Sequence, residues 1–211
     1  MNMTRDRRIL LLGSLAAMLL LVAGGLWLSR GAAPGFEACR KNGVAGRMPV
    51  IDAPFTLTDQ NGARISSRQI FTKPAFVYFG YTYCPDVCPL DAARNSEAVS
   101  ILDKRGIEVT PVLISVDPER DTPEALGQFV AMLHPRMIGL TGSVGEIDAV
   151  ARQWRSYYRL NNQEDDEYYM VDHMTNTYLV MPDAGVVESF DRDMGAQDMA
   201  DRSECFIRAA G

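Results

Sequence analysis

The feature that most constrains this chain is a short segment in which a predicted buried strand is followed by two cysteines. PAFVYFGY, residues 74–81, is a nearly continuous apolar run, and Cys84 and Cys88 come directly after it. Such a run is typical of a central strand that is buried on both faces. From Pro89 to about Lys104 the apolar residues recur at helical spacing. The thiols are therefore predicted at the start of a helix, where backbone N–H groups and the helix dipole stabilise a thiolate.

The rest of the sequence alternates strand and helix patterns. We predict strands in PFTLTD (54–59), GIEVTPVLISVD (106–117) and MIGLTG (137–142), helices over 122–133 and 144–158, a hairpin over 175–190 and a last helix over 196–210. Asn61 and Gly62 predict a hairpin turn after the first of these strands. The order of strand, helix, strand, hairpin and final helix is that of a thioredoxin-like α/β domain, in which helices flank a central mixed sheet.

The N-terminal segment predicts a membrane anchor. Residues 1–8 contain three arginines, and the run from Ile9 to Ser29 carries no charge. About 20 apolar residues span a bilayer, whereas a cleaved signal peptide has an apolar region of only about 7–15 residues. Because positive charge stays on the cytoplasmic side, we predict a cytoplasmic N-terminus (1–8), one transmembrane helix (9–29), a linker (30–49) and a domain (50–211) in the periplasm. The predicted location is a bacterial inner membrane, with cleavage of the segment as the alternative.

The charge of the chain argues against a nucleic-acid partner. The formal net charge is −6, whereas domains that bind nucleic acid are basic. One acidic run, NNQEDDEYY (161–169), is interpreted as a solvated loop. The rival interpretation is a docking site for a cationic face of a partner.

Three roles are open to the thiols of Cys84 and Cys88. A structural bridge across so short a loop contributes little in the chain-entropy model, so that role is disfavoured. A redox-active dithiol suits the start of a helix, but the usual redox motif has two intervening residues rather than the three found here. The spacing of four places both sulfurs on one face of a helix, where they can hold a soft metal ion.

A metal site requires a third ligand, and His173 is the candidate. It lies in YYMVDHMTNTYLV, in a predicted loop just before the hairpin strand. In a thioredoxin-like fold that loop comes near the start of the first helix. Two thiolates and an imidazole suit copper(I) or copper(II), and zinc is the chemical competitor. His134, which ends a predicted helix, is interpreted as a solvated residue favoured by the helix dipole.

Several motifs resemble the Sco/SenC family of copper-binding, membrane-anchored thioredoxin-like proteins. They occur in the family's order over residues 51–190, and they are FGYTYCPDVCP (79–89), SVDPERDTPEAL (115–126), IGLTG (138–142) and DHMTNTYLVMPDAG (172–185). The resemblance implies that Cys84, Cys88 and His173 bind copper and that Asp117 lies near the site and tunes it. Tyr83 stands where many relatives have histidine, and the loop around His173 lacks the proline with which redox thioredoxins face their thiols.

The resemblance also implies a function and partners. Family members help to assemble the binuclear copper centre of cytochrome c oxidase, by delivering copper, by reducing the cysteines of that centre, or both. The expected partners are the copper-site subunit of the oxidase and other periplasmic copper chaperones or thiol reductants. We expect a metallochaperone rather than an enzyme. The alternatives are a thiol–disulfide oxidoreductase in which Cys84 and Cys88 are the catalytic pair, and a thiol peroxidase that uses Cys84.

The two remaining cysteines, Cys39 and Cys205, lie outside these motifs. Unpaired thiols are unusual outside the cytoplasm. We therefore predict that these two cysteines form a disulfide that ties the linker to the last helix.

Overall fold

The computed structural model describes residues 35–39, 54–161 and 169–210, together with Met18. The predicted cytoplasmic segment (1–8), the predicted anchor (9–29) apart from Met18, and most of the predicted linker (30–49) lie outside the described residues. Within the part of the chain that is described, no helix is both long and apolar enough to cross a membrane. The elements below all belong to one compact unit, Phe36–Gly211.

Strands and helices alternate along this unit as the sequence patterns predict. The strands are β1 (Thr56–Asp59), β2 (Arg64–Ser66), β3 (Ala75–Gly80), β4 (Thr110–Ser115), β5 (Ile138–Thr141), β6 (Tyr158–Asn161), β7 (Met170–His173), β8 (Thr177–Met181) and β9 (Gly185–Phe190). The helices are a 3₁₀ turn (Phe36–Cys39) and α1 (Ser67–Ile70), α2 (Val87–Lys104), α3 (Pro123–Leu133), α4 (Val144–Gln153) and α5 (Ala196–Ala210).

A seven-stranded sheet forms the centre of the fold, in the order β2-β1-β5-β4-β3-β8-β9. β3 runs parallel to β4 and antiparallel to β8, so the sheet is mixed as predicted. Every residue of β3 is buried, which confirms the prediction of a central strand. The predicted β1–β2 hairpin is also confirmed: Gly62 has a φ of +80°, and Asp59 Oδ1 accepts hydrogen bonds from the backbone N–H groups of Asn61 and Ala63.

The core consists of two apolar clusters, and α2 contributes side chains to both. Its C-terminal half buries Ala98, Val99 and Leu102 in a cluster with β9 and α5. At its N-terminal end, Cys88 belongs to the second cluster, which also contains Tyr78 of β3. The first turn of α2 therefore lies against the C-terminal end of the central strand.

The predicted helix over 144–158 is wrong in its last part, because α4 ends at Gln153. Arg155 takes a positive φ of 51°. Its N–H bonds to the carbonyl of Arg152, and the N–H of Ser156 bonds to the carbonyl of Ala151. This hydrogen-bond pattern is a Schellman motif, which closes a helix once one residue adopts the left-handed conformation.

A two-stranded ribbon follows α4 and was not predicted. β6 pairs with β7 antiparallel, and Tyr158 lies opposite His173. His173 is therefore the last residue of a strand, not the loop residue that the sequence pattern indicated. Of the predicted acidic loop over 161–169, residues 162–168 lie outside the described residues.

Cys39 and Cys205 form a disulfide, with a Cα–Cα distance of 5.7 Å. This confirms the predicted pairing. The 3₁₀ turn that contains Cys39 also packs on α5, where the rings of Phe36 and Phe206 lie 5.4 Å apart. The segment that enters the domain is thus attached to its last helix by a covalent bond and an aromatic contact.

Candidate metal centre

Three predicted ligands meet at the C-terminal end of β3. Cys84 lies in the turn between β3 and α2, Cys88 is in the first turn of α2, and His173 ends β7. One ligand atom from each side chain lies within 4.8 Å of the other two. Cys88 Sγ and His173 Nε2 lie 3.2 Å apart, although the two residues are 85 positions apart in the sequence. In the described part of the chain, no other cluster of three or more His, Cys, Asp or Glu side chains is close enough to share a metal ion.

Gly80 is the last residue of β3, and the Cys88 sulfur lies where a side chain at this position would project. A Cβ at this position would lie 3.2 Å from Cys88 Sγ and 2.7 Å from Cε1 of Tyr78. Contacts below 3.0 Å between non-bonded carbon atoms are not tolerated in a packed core. The absence of a side chain at Gly80 therefore allows the sulfur and the tyrosine ring to meet over the end of the strand.

The start of α2 uses a sulfur atom as its cap. Asp86 occupies the N-cap position but its side chain makes no capping hydrogen bond. Instead, the N–H of Cys88 donates to Cys84 Sγ at 3.3 Å. The first N–H groups of a helix have no partner within the helix, so Cys84 satisfies one of them. Both cysteines of this pair are free thiols in the structure.

The turn that carries Cys84 is held by a buried carboxylate that the sequence analysis missed. Asp121 accepts hydrogen bonds from the Thr82 N–H at 3.0 Å and from the Thr82 hydroxyl at 2.5 Å. It also accepts one from the Ser115 hydroxyl at 2.6 Å. Burial raises the pKa of Asp121, although these hydrogen bonds oppose the shift. Asp121 thereby joins the ends of β3 and β4 immediately before the dithiol.

The orientation of His173 leaves one nitrogen free to bind a metal. Nδ1 lies 2.9 Å from the carbonyl oxygen of Met174. A carbonyl only accepts hydrogen bonds, so Nδ1 carries the proton and Nε2 presents its lone pair to Cys88. A hydrogen bond from the second ring nitrogen to a carbonyl is the usual way in which proteins orient a metal-binding imidazole.

Two tyrosines enclose the imidazole. The rings of Tyr78 and Tyr81 lie 6.0 and 5.8 Å from the His173 ring, both nearly perpendicular to it. This enclosure desolvates the site. Burial lowers the pKa of His173 and raises that of Cys88, because removal from water disfavours the charged form of each group. Near neutral pH and without a bound metal, His173 is therefore a neutral imidazole and Cys88 is protonated.

Asp117 lies outside this set of three, and its carboxylate is already engaged. Oδ1 accepts a 2.5 Å hydrogen bond from the Tyr169 hydroxyl, and Oδ2 accepts one of 2.5 Å from Arg120 Nε. The Arg120 guanidinium lies 3.5 Å from the ring centroid of Tyr169 and 5.0 Å from that of Tyr83. Asp117 therefore contacts the site indirectly, through residues that precede β7 and Cys84.

The chain matches a family model for SCO1/SenC over residues 45–208. This chain belongs to the SCO1/SenC family. It is 48% identical over 174 residues to Protein SenC of Rhodobacter capsulatus, and the alignment covers 82% of this chain and 78% of SenC. The family resemblance inferred from the motifs is thus confirmed.

Solved structures of Sco proteins share the fold. The crystal structure of Arabidopsis thaliana ScoI with copper bound superposes with a TM-score of 0.70 at 36% identity, covering 75% of this chain and 99% of ScoI. BsSco belongs to the Sco family of cytochrome c oxidase assembly proteins, and a disulfide switch has been identified in it. BsSco matches with a TM-score of 0.60 at 26% identity, over 75% of this chain and 92% of its own. The predicted thioredoxin-like α/β fold with a mixed sheet is confirmed.

The other histidine of this SCO1/SenC protein lies apart from the site, but it is not solvated as predicted. His134 is 8% exposed, and its Nδ1 accepts a 3.1 Å hydrogen bond from the N–H of Arg136. Burial, with the Arg136 charge as a second cause, lowers the pKa of His134. His134 therefore accepts a hydrogen bond within the turn after α3 as a neutral imidazole. It is not the solvated, charged residue that the helix dipole would favour.

Proposed function

We propose that this SCO1/SenC protein is a copper metallochaperone that binds copper through Cys84, Cys88 and His173. It would assist assembly of the binuclear copper centre of cytochrome c oxidase, with the copper-site subunit as its partner. A helix over 9–29 would anchor it in a bacterial inner membrane, with the domain in the periplasm. The observation that carries the proposal is the 3.2 Å approach of the His173 lone pair to the Cys88 sulfur.

The donor set supports copper as the cargo. Thiolates select soft ions such as copper(I), and an imidazole also serves copper(II). A site with two sulfurs and one nitrogen can therefore hold either oxidation state. Relatives with copper bound, such as Arabidopsis ScoI, support the same choice. Zinc accepts such ligands as well, so the metal experiment below includes zinc as a competitor.

The burial of the ligands suggests the order of transfer. Cys84 is 8% exposed, whereas Cys88 is fully buried. An incoming thiolate of the partner would approach copper from the side of Cys84. A bond from the partner sulfur to copper forms as the bond to Cys84 breaks, and the oxidation state of copper does not change. Burial would then favour release from His173, the most exposed of the three ligands, before release from Cys88, which is fully buried and would let the ion go last.

The test is a copper titration of the reduced protein, followed by absorption spectroscopy with zinc present and absent. The expected result is one copper per protein and a sulfur-to-copper charge-transfer band with copper(II). His173→Ala should lose most of the copper(II) affinity and keep both thiols. His134→Asn is the matched control, because it removes the other imidazole while preserving an acceptor for Arg136, and it should bind copper normally. No charge-transfer band in the wild-type protein would refute the proposal.

A second candidate function is a thiol–disulfide oxidoreductase acting on the cysteines of the same copper centre. The free thiols of Cys84 and Cys88 favour it, as does the disulfide switch of BsSco. In this reaction the dithiol would pass two electrons and two protons to a target disulfide through a mixed disulfide and become a disulfide itself. His173→Ala distinguishes the two functions, since a reductase should keep most of its thiol activity and a carrier should lose oxidase assembly.

A further inference from the structure

An open cleft of about 320 Å³ lies where α4 ends and the β6–β7 ribbon begins, and the proposed copper function makes no use of it. Three residues of α4 and the segment 155–158 form its walls, whereas Cys84, Cys88 and His173 do not. A volume of this size is at the lower end of the range for sites that hold small molecules. The three α4 residues are Asp148, Ala151 and Arg152.

The cleft carries an excess of positive charge, although the chain as a whole is acidic. Arg152 Nη1 lies 3.7 Å from Asp148 Oδ2, and Asp148 also accepts a hydrogen bond from the Tyr158 hydroxyl. The one carboxylate in the walls is therefore engaged. Within the described part of the chain, the exposed side chain of Arg155 makes no hydrogen bond or ion pair. One guanidinium in the cleft is thus available to an anion.

The turn that carries Arg155 does not need its guanidinium. Arg155 has a φ of 51°, a left-handed conformation that glycine or asparagine adopts more readily. The Schellman motif is closed by the backbone N–H groups of Arg155 and Ser156. Because the side chain takes no part in these bonds, its charge can serve the cleft.

A buried hydroxyl in the same wall has no partner. Ser156 is 3% exposed, and its Oγ makes no hydrogen bond within the described residues. Burial raises the pKa of Tyr178 and nearby Ser156 opposes that rise, but no hydrogen bond joins the two hydroxyls. An unsatisfied buried hydroxyl costs free energy. Rotation about the Cα–Cβ bond of Ser156 would turn its Oγ to a ligand without breaking any hydrogen bond.

The remaining walls suit a ligand with an apolar body. Tyr157 is 59% exposed, and Ala151 and Tyr158 also line the cleft. Tyrosine rings supply a large contact area. An anionic group alone would fill only a small part of the volume, so the ligand has a carbon skeleton as well. A carboxylate carries one negative charge, which matches the one excess positive charge, and it accepts two parallel hydrogen bonds from a guanidinium.

We propose that this cleft binds an organic carboxylate, either a free acid or the carboxyl group of a peptide, through Arg155 and Ser156. The carbonyl of Tyr157 accepts a 2.9 Å hydrogen bond from the N–H of Met174. The carbonyl of Met174 in turn lies 2.9 Å from His173 Nδ1. A ligand that packs on Tyr157 therefore contacts the segment that holds the imidazole. The carboxylate site itself does not depend on the proposed copper function.

The test is a calorimetric titration of the full-length protein in detergent with two pairs of probes. Benzoate is compared with neutral benzamide, and an acetylated dipeptide that ends in phenylalanine is compared with its amidated form. Benzoate should bind and benzamide should not. Binding of the dipeptide acid as well would show that a peptide can supply the carboxylate, and binding of benzoate alone would assign the cleft to free acids. In a sample with isotope-labelled methionine, benzoate should shift the amide signal of Met174 in the NMR spectrum.

Three variants locate the site. Arg155→Asn keeps a residue that tolerates the left-handed conformation and should weaken benzoate binding by about tenfold. Ser156→Ala should also weaken binding but should not lower the urea midpoint, because its hydroxyl has no partner to lose. Arg159→Gln is the matched control, since Arg159 lies outside the cleft and faces Asp172 at 3.6 Å.

Three results would overturn the inference. They are the absence of benzoate binding to the wild-type protein, equal binding of benzamide, and equal losses in the Arg155 and Arg159 variants. An unshifted Met174 signal on benzoate binding would overturn the placement of the ligand on Tyr157. A protein that binds benzoate in this way but takes up no copper would refute the proposed function and leave the carboxylate site standing.

Discussion

The Tyr169 hydroxyl donates a 2.5 Å hydrogen bond to Asp117 Oδ1, across 52 positions of sequence. Tyr169 immediately precedes β7, the strand that ends at His173. Asp117 lies two residues after the end of β4. The contact therefore attaches the strand that carries the imidazole to the sheet that carries the dithiol.

This contact predicts a specific effect of Asp117→Asn. Asparagine carries no charge to pair with Arg120, and only one of its two side-chain atoms can accept a hydrogen bond, so one of the two contacts is lost and β7 should be held less firmly. We expect copper(II) affinity to fall by about tenfold, the size typical of losses outside the ligand set. Both thiols should remain titratable by alkylation. Glu119→Gln removes a neighbouring exposed carboxylate and should leave the affinity unchanged; equal losses in the two variants would contradict the role of Asp117.

Copper affinity should rise with pH. The raised pKa of Cys88 means that its thiol carries a proton that copper must displace on binding. The lowered pKa of His173 means that no proton leaves the imidazole near neutral pH. Each displaced proton changes the affinity by about tenfold per pH unit. Competition with a chelator of known pH dependence, between about pH 6 and pH 8, measures the slope. A flat profile would show that copper displaces no proton from Cys88.

Gly80→Ala should damage both packing and metal binding. Its methyl group would lie 2.7 Å from the Tyr78 ring and 3.2 Å from Cys88 Sγ. Overpacking of this kind costs about 1–3 kcal/mol, which urea denaturation should detect as a lower midpoint. Copper affinity should fall as well, because the first turn of α2 is displaced. Gly145→Ala is the control, since a Cβ there meets no atom within 4 Å. Equal affinities in the two variants would rule out a role for the space at Gly80.

Removal of the second cysteine pair should weaken the fold and leave the metal site intact. The disulfide between Cys39 and Cys205 joins residues 166 positions apart. The chain-entropy model assigns such a loop about 5 kcal/mol, an upper limit for the loss in the Cys39→Ser/Cys205→Ser double variant. Chemical denaturation measures that loss, and copper stoichiometry should stay at the wild-type value. In the untreated wild-type protein, alkylation after unfolding should label Cys84 and Cys88 alone; four labelled cysteines would disprove the bridge.

Local patterns were enough to predict the dithiol half of the site. Both cysteines belong to one strand–helix junction, and neighbouring residues decide where a strand ends and a helix begins. The same reasoning explains why β3, α2 and the β8–β9 hairpin were predicted with small errors at their ends. The helix predicted over 144–158 was wrong where a single left-handed residue, Arg155, ended it. An arginine in that conformation gives no sequence signal, whereas glycine or asparagine would have given one.

By itself, the sequence determined the fold class, the sulfur pair and the identity of the third candidate ligand. Only the tertiary structure decided how His173 reaches Cys88, because the imidazole is placed by the pairing of β6 with β7. It also decided that Asp117 is attached to the residue before β7, since that contact depends on a partner from a distant segment. The physical reason is that secondary structure follows from local steric and apolar patterns, whereas a hydrogen bond between segments depends on the packing that brings them together.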